Sequence, residues 1–291
     1  MTKFYFNKLI LLQSLSDDDL KNGLNLPNIN LINTVEVAIS QNDNLHFFNY
    51  NLLTINLGVS QFENIIDSII RECENNQVYP IIHFLGHGEK GKGIYVWDAN
   101  KCNYDCIAWE CLFNYLCKIN KVCHNNLFFT TTACNGFDCF TKLFIEELDT
   151  IPIVGIVAID PDEPFYVSDA NDVFCEFYRA LLSTFSINEA INAVVALENT
   201  LIGKLPYIAF SDTWFIKAYK NIVDKQYSDD NLKMLIDKYR YPVAQRNKIL
   251  SDYKAKIIKN KQADYVRIRN RKFMFDDPKV DRTRFDLPNT I

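Results

Sequence analysis

Residues 80–88 read PIIHFLGHG and residues 127–136 read LFFTTTACNG. Each stretch is an apolar or β-branched run that ends in small residues beside one reactive side chain, His87 in the first and Cys134 in the second. Runs of this length and composition are typical of buried strands in a parallel sheet. Ligands of open α/β sheets bind just beyond the carboxyl ends of such strands. The two stretches therefore predict that His87 and Cys134 emerge at the same edge of a sheet.

The order and spacing of these two residues resemble those of a known enzyme family. His87 precedes Cys134 by 47 residues, and caspases place their His about 50 residues upstream of the Cys. Here the sequence resembles the caspase-like (clan CD) cysteine peptidases, which carry His-Gly after one hydrophobic strand and Cys after another. Within that clan, residues 83–88 and 132–136 look most like the CHAT domains, bacterial relatives of caspases and separase. The resemblance covers about residues 5 to 220.

The hydrophobic pattern predicts the fold class independently of this resemblance. Apolar strand-like runs alternate with stretches of helical periodicity up to about residue 210. Such alternation predicts an α/β fold with a doubly wound, mostly parallel central sheet and helices on both faces. The resemblance implies the caspase-like version of this fold.

The net charge of −5 hides an uneven distribution. From Lys217 onward the chain carries 19 of the 31 Lys and Arg and 10 of the 36 Asp and Glu, so this part has a charge of +9 and the rest has −14. An acidic body with a basic end is typical of proteins whose end contacts a partner, and the alternative is a solvated helical cap on the domain. We predict a peptidase domain at 1–222 and a basic C-terminal extension at 223–291, helical and then partly disordered. In it, residues 265–269 alternate like an edge strand, and residues 276–291 have too little apolar content to pack.

Composition favours a soluble protein of the cell interior. With 291 residues, 48% of them hydrophobic, the chain can bury a full core. Its first apolar run, Leu9 to Leu12, is shorter than the core of a signal peptide. No run approaches the roughly 18 apolar residues of a membrane span. We therefore expect a cytoplasmic protein that does not contact a membrane.

Nine cysteines fit the reduced, mostly buried thiols of such a compartment. Five of them form a loose series, but no C-x-x-C motif occurs and His124 is the only nearby imidazole. Structural zinc sites have tighter ligand spacing, so we predict no metal site. The series consists of Cys102, Cys106, Cys111, Cys117 and Cys123.

The chemistry of a cysteine peptidase needs a thiolate, a neighbouring imidazole and donors for the oxyanion. Cys134 alone among the cysteines ends a predicted buried strand beside small residues, so we predict it as the nucleophile and His87 as the general base. The resemblance implies that the backbone N–H groups of Gly88 and Cys134 hold the oxyanion. Asn135-Gly136 predicts a turn into a helix whose dipole would lower the pKa of the Cys134 thiol. This chemistry requires no metal or organic cofactor.

Two further features sit near the predicted site. His83 lies within the apolar strand, which favours a hydrogen-bonded structural histidine over a catalytic one. Asp160, Asp162 and Glu163 follow the next strand, whose counterpart in related clan members lines the pocket for the residue before the cut. A carboxylate there would pair with Arg or Lys of a substrate. The alternative is a solvated acidic loop between two prolines.

Together these features predict a cysteine endopeptidase that cleaves a protein substrate through a Cys-His dyad. The resemblance implies activation by a partner protein in a bacterial stress or defence system. One alternative is a catalytically inactive caspase-like scaffold that acts as a protein-binding module. A nucleotide-binding domain is a weaker alternative, because no P-loop sequence occurs. Direct nucleic-acid binding is disfavoured, because aspartates interrupt the basic residues of the extension.

Overall fold

A six-stranded sheet forms the centre of the molecule, whose computed structural model describes residues 3–136, 150–158, 166–226 and 243–289. The strand order is β2-β1-β3-β7-β8-β9. All described pairs are parallel except that of β8 with β9. The predicted α/β fold with a mostly parallel sheet is therefore confirmed. Its strands are β1 Lys8–Gln13, β2 Asn49–Thr54, β3 Pro80–Leu85, β7 Phe128–Thr131, β8 Gly155–Ala158 and β9 Tyr207–Phe210.

Helices cover both faces of this sheet, as predicted. Along β1, Ile10 and Leu12 belong to one buried cluster, whereas Leu9 and Leu11 belong to another on the opposite face. Successive side chains of a strand point to opposite faces, so an unbroken apolar run requires cover on both sides. Helices α3 and α4 cover the first face, and α2, α5 and α6 cover the second. The helices are α1 Asp17–Lys21, α2 Leu26–Gln41, α3 Gly58–Asn76, α4 Trp109–Val122, α5 Val167–Thr184, α6 Ile187–Val195, α7 Ser211–Gln226 and α8 Val243–Lys272, with 3-10 turns at Asp43–Leu45 and Arg282–Arg284.

A small antiparallel sheet follows β3 directly. It consists of β4 His87–Glu89, β5 Gly93–Asp98 and β6 Asn103–Ala108. The sequence predicted only a short strand or hairpin arm at residues 94–97. The backbone N–H of Trp97 donates to Ser14 Oγ at 2.7 Å, which fixes the small sheet to the end of β1. This attachment places His87 beside the carboxyl ends of the central strands.

The C-terminal part of the chain differs from its prediction. Helix α8 continues to Lys272, so the predicted edge strand at residues 265–269 is helical. Tyr265 and Phe273 are buried against Phe215 of α7. Burial of these rings on α7 outweighs the strand-like alternation. The sequence also predicts helices at 137–148 and 231–238, and both lie outside the described residues. The predicted domain boundary at 222 falls within α7.

The segment expected to be mobile packs against the body as far as residue 289. Val280, Arg284 and Phe285 are buried. The Arg284 guanidinium donates to the carbonyl oxygens of His124 and Asn125, at 3.2 and 3.1 Å, and to the side-chain oxygen of Asn126. The prediction from the low apolar content of residues 276–291 is therefore wrong. One buried arginine with three oxygen acceptors anchors the segment, as a hydrophobic run would normally do.

Among the residues that the structure describes, no helix is long and apolar enough to cross a membrane.

Candidate active site

The strand register brings the chain segments that carry the two predicted catalytic residues next to each other. Strands β3 and β7 are parallel neighbours, and His83 pairs with Thr130. This pairing has an offset of 47 residues (130 − 83), which equals the offset between His87 and Cys134 (134 − 87). Past the end of the ladder, the N–H of Thr132 still donates to the carbonyl of Phe84 at 3.0 Å. The two chains therefore leave the sheet side by side.

A close backbone approach marks the contact between these chains. A Cβ added at Gly88 would lie 2.3 Å from the carbonyl oxygen of Cys134 and 3.2 Å from Cβ of Ala133. Real Cβ atoms do not approach so closely, so only glycine fits at this position. The contact joins the two backbones that were predicted to supply the oxyanion donors. The hole itself stays a prediction.

A tight turn exposes the cysteine. Ala133 is buried whereas Cys134 is exposed, and Asn135 has a left-handed backbone with φ of 60°. The N–H of Gly136 donates to the carbonyl of Ala133 at 3.0 Å, which closes the turn. Among the described residues, the buried side-chain oxygen of Asn135 has no hydrogen-bond partner. This turn thus brings Cys134 to the surface soon after a buried strand.

The resting state of the thiol differs from the prediction. Burial raises the pKa of the Cys134 thiol, although the backbone N–H of the same residue acts in the opposite direction. The residue presents surface to solvent, but the surrounding protein still disfavours the thiolate. The helix that was expected to lower this pKa begins outside the described residues. This environment therefore favours the neutral thiol of Cys134 over its thiolate.

A carboxylate that sequence reasoning missed contacts the histidine. The Nε2 atom of His87 lies 3.2 Å from Oδ2 of Asp19. The ring of Tyr104 packs edge-on against the imidazole, with 5.0 Å between ring centroids, and its hydroxyl donates to the same Asp19 oxygen. His87 is thus held between an acceptor and an aromatic ring. A carboxylate at one nitrogen orients an imidazole for proton transfer at the other.

Asp19 is kept ionised by its surroundings. Burial alone would raise its pKa, but hydrogen bonds from Tyr104, Ser16 and His87 outweigh that effect and lower the pKa to about 2. The backbone N–H of Ser16 donates at 2.9 Å and its hydroxyl at 2.7 Å. Asp19 is therefore a fixed negative charge beside His87 at neutral pH.

The position of Asp19 follows from a helix cap. Ser16 caps α1, and Asp19 reaches back to the Ser16 N–H in a capping box. Strand β1 ends at Gln13, so α1 begins at the same edge of the sheet as the site. The Ser16-x-x-Asp19 pattern directly after a buried strand was a signal that could have located this carboxylate.

His83 has the structural role that the sequence predicted. It is fully buried, and its Nδ1 lies 2.8 Å from the hydroxyl of Thr130, which lies 2.8 Å from that of Tyr178. Its Nε2 has no hydrogen-bond partner in the part of the chain that the structure describes. Burial lowers the pKa of His83 to about 3, so this histidine is neutral at pH 7 and holds β3 against β7.

The remaining predicted site residues stay untested. Asp160, Asp162 and Glu163 lie outside the described residues, so the acidic substrate pocket remains a prediction. Within the described ranges, no group of three or more His, Cys, Asp or Glu side chains is placed to hold a metal ion.

Comparison with known proteins gives no match, either to a protein-family model or to a curated protein. The assignment of this site therefore depends on its own geometry.

Proposed function

We propose that the chain is a caspase-like cysteine endopeptidase that cleaves a protein substrate. One observation carries the proposal: the offset of 47 residues that pairs β3 with β7 is also the offset between His87 and Cys134. A histidine and an exposed thiol just past the ends of adjacent parallel strands support this pairing of a base with a nucleophile. The sequence resemblance to CHAT domains supports the same reaction.

Each residue has a defined role in this reaction. Cys134 attacks the scissile carbonyl carbon, and His87 takes the thiol proton and passes it to the leaving amine. Because Asp19 engages Nε2 of His87, Nδ1 is the nitrogen that remains for the thiol. Asp19 orients the ring and stabilises the imidazolium that forms. The N–H groups of Gly88 and Cys134 bind the oxyanion.

The neutral resting thiol fits an enzyme that is activated on demand. The raised pKa of Cys134 implies low activity of the isolated chain at pH 7, because the thiolate is the nucleophile. We propose that an acidic partner protein binds the basic C-terminal part and reorganises the site, as the charge distribution suggests. By resemblance, such control would serve a bacterial stress or defence response. Activation by the partner should decrease as the salt concentration rises.

The raised pKa of Cys134 also favours a second candidate, a caspase-like scaffold that binds proteins without cleaving them. The two candidates differ in whether the thiol reacts with a peptide electrophile. A scaffold would leave Cys134 no more reactive than other exposed thiols, whereas a peptidase would direct the electrophile to Cys134 through peptide recognition.

The test uses a fluorogenic peptide library and a peptidyl acyloxymethyl ketone, with the full chain and three variants. Cleavage and labelling should be lost in Cys134→Ala and His87→Ala and retained in Cys111→Ala, the matched control at an exposed thiol of α4. A Cys134→Ala chain that cleaves as fast as the wild type would refute the proposal. Labelling of Cys134 no faster than Cys111 would support the scaffold, because even the low activity expected of the isolated chain requires preferential reaction at Cys134.

A further inference from the structure

The carboxylate that contacts His87 lies on a helix with little support of its own. Helix α1 has five residues, and none of them is buried. Apolar packing therefore contributes little to holding Asp19 in place. The capping box with Ser16 fixes the carboxylate within its own helix. It does not fix that helix relative to His87, which lies on β4 of the small sheet.

The side chain of Tyr104 joins these two parts of the molecule. Its hydroxyl donates to Asp19 Oδ2, the same oxygen that lies 3.2 Å from Nε2 of His87. The backbone N–H of Ser16 donates to this hydroxyl at 2.9 Å, so the hydroxyl proton is directed at the carboxylate. The ring of Tyr104 packs edge-on against the imidazole, with 5.0 Å between the ring centroids. One tyrosine thus contacts both members of the Asp19–His87 pair.

Tyr104 is held in turn by the small sheet. In the register of β5 with β6 it lies opposite Trp97, and the centroids of the two rings are 5.0 Å apart. The backbone N–H of Trp97 donates to Ser14 Oγ at the end of β1. The chain between β1 and α1 is therefore attached to the small sheet at two points, Ser14 and Asp19. The first attachment uses a backbone donor, and the second depends on the Tyr104 hydroxyl.

We propose that Tyr104 is a positioning residue of the candidate active site: through Asp19 it holds the His87 ring with Nδ1 free for the nucleophile. This inference rests on the peptidase function proposed above. When Nε2–H donates to a fixed carboxylate oxygen, the neutral imidazole keeps its lone pair on Nδ1, where a base needs it. Burial and the hydrogen bond to Asp19 raise the pKa of Tyr104 to about 12, so its hydroxyl stays protonated and keeps donating at neutral pH.

The test compares Tyr104→Phe with Tyr95→Phe in the full chain. Tyr104→Phe keeps the ring beside His87 and removes only the hydroxyl that binds Asp19. Tyr95→Phe is the matched control, because Tyr95 lies on the neighbouring strand β5 and its hydroxyl donates to Glu89. Both substitutions delete one tyrosine hydroxyl from the small sheet, and only one of them affects the Asp19 carboxylate.

The first readout is the pair of ring ¹⁵N signals of His87 at about pH 9, where an ordinary imidazole is neutral. In the wild type the two signals should be widely separated, as expected for a single Nε2–H tautomer. Tyr104→Phe should move them toward each other, because a less firmly held Asp19 selects the tautomer less strongly. Tyr95→Phe should leave them unchanged. Identical signals in the wild type and Tyr104→Phe would overturn the proposal.

The second readout is kinetic. On a cleaved peptide of the library, Tyr104→Phe should lower kcat about tenfold with little change in KM. In an Asp19→Asn chain the same substitution should change kcat by less than about twofold, because Tyr104 acts through Asp19. Equal effects in both chains would overturn the positioning role. A chain that cleaves no peptide would count against the peptidase function instead, and the ¹⁵N signals would still decide whether Tyr104 positions His87.

Asp19→Asn alone gives a further measurement, in which Tyr104 remains in place. Besides burial, the hydrogen bond to Asp19 raises the pKa of the Tyr104 hydroxyl. This hydroxyl, followed by the ¹³C signals of its ring, should therefore titrate at lower pH in Asp19→Asn than in the wild type. Asp18→Asn should leave the titration unchanged. The same titration in the wild type and Asp19→Asn would overturn the proposal, even if Tyr104→Phe did not fold.

Discussion

Two histidines four residues apart on one stretch of chain have opposite surroundings. His83 lies inside the sheet, bonded to Thr130 and fully buried, and its pKa is lowered to about 3. His87 lies just past the sheet edge, half-exposed, with a carboxylate 3.2 Å from its Nε2. The same offset of 47 residues relates His83 to Thr130 and His87 to Cys134. Four residues therefore separate a structural histidine from one suited to proton transfer.

The surroundings of each histidine, and not the residue type, therefore determine its role. In the interior, burial disfavours the imidazolium of His83. At the edge, His87 instead faces solvent and the ionised Asp19. Substitutions at the two positions should accordingly affect different properties.

The largest expected effect separates the two histidines by activity. His87→Ala should lower kcat/KM by about a thousandfold, because it removes the general base. His83→Gln should change kcat/KM by less than about tenfold and should instead lower the melting temperature. Steady-state kinetics on the best peptide of the library measure the first effect, and calorimetry measures the second. Equal losses of activity in both variants would contradict the assignment of different roles to His83 and His87.

Substitution of Asp19 tests whether this carboxylate supports His87 at the edge of the sheet. Asp19→Asn should lower kcat about a hundredfold with little change in KM, since an amide can no longer stabilise the imidazolium. Asp18→Asn is the matched control, because Asp18 is exposed and pairs with Lys21 of the same helix. If the two substitutions had the same effect on kcat, Asp19 would have no positioning role.

The interior histidine should make stability depend on pH. Its folded pKa of about 3 lies below the ordinary 6.5, so below pH 6.5 the unfolded chain binds a proton that the folded chain does not. This contribution to stability is present above pH 6.5 and is lost as the pH falls, by up to about 1.4 kcal/mol per pH unit. Urea unfolding between pH 5 and 7 measures this slope, and His83→Gln should reduce it. An unchanged slope would show that other groups cause it.

The smallest expected effect concerns the partner of His83. Thr130→Val keeps the shape of the side chain but leaves His83 Nδ1 and the Tyr178 hydroxyl without their hydrogen bonds. The free energy of unfolding should fall by about 1–2 kcal/mol, and activity should remain within a few-fold. Urea unfolding gives the first value and kinetics the second. A large loss of activity would show that the hydrogen bonds among His83, Thr130 and Tyr178 influence the candidate active site.

Much of this arrangement could be predicted from the sequence, because it depends on local patterns. The apolar runs before His87 and Cys134 end abruptly, and parallel strands place such ends at one edge of a sheet. The structural role of His83 was also predictable, since an imidazole within a buried run must be neutral and hydrogen-bonded.

Other parts depend on long-range contacts that no local pattern contains. Asp19 is 68 residues from His87 in the chain, and only the folded position of α1 brings them together. Arg284 looks like a surface residue in sequence, yet it is buried against the turn that enters β7. The raised pKa of the Cys134 thiol follows from desolvation, which spacing and residue type do not encode.

The most direct test of the account measures the alkylation rate of Cys134 by iodoacetamide at pH 7, using mass mapping of the full chain. If His87 is the base for this thiol, His87→Ala should slow the modification of Cys134 about tenfold, while the rate at Cys111 stays the same. His83→Gln should leave both rates unchanged. The same rate at Cys134 in wild type and His87→Ala would contradict the pairing of these two residues.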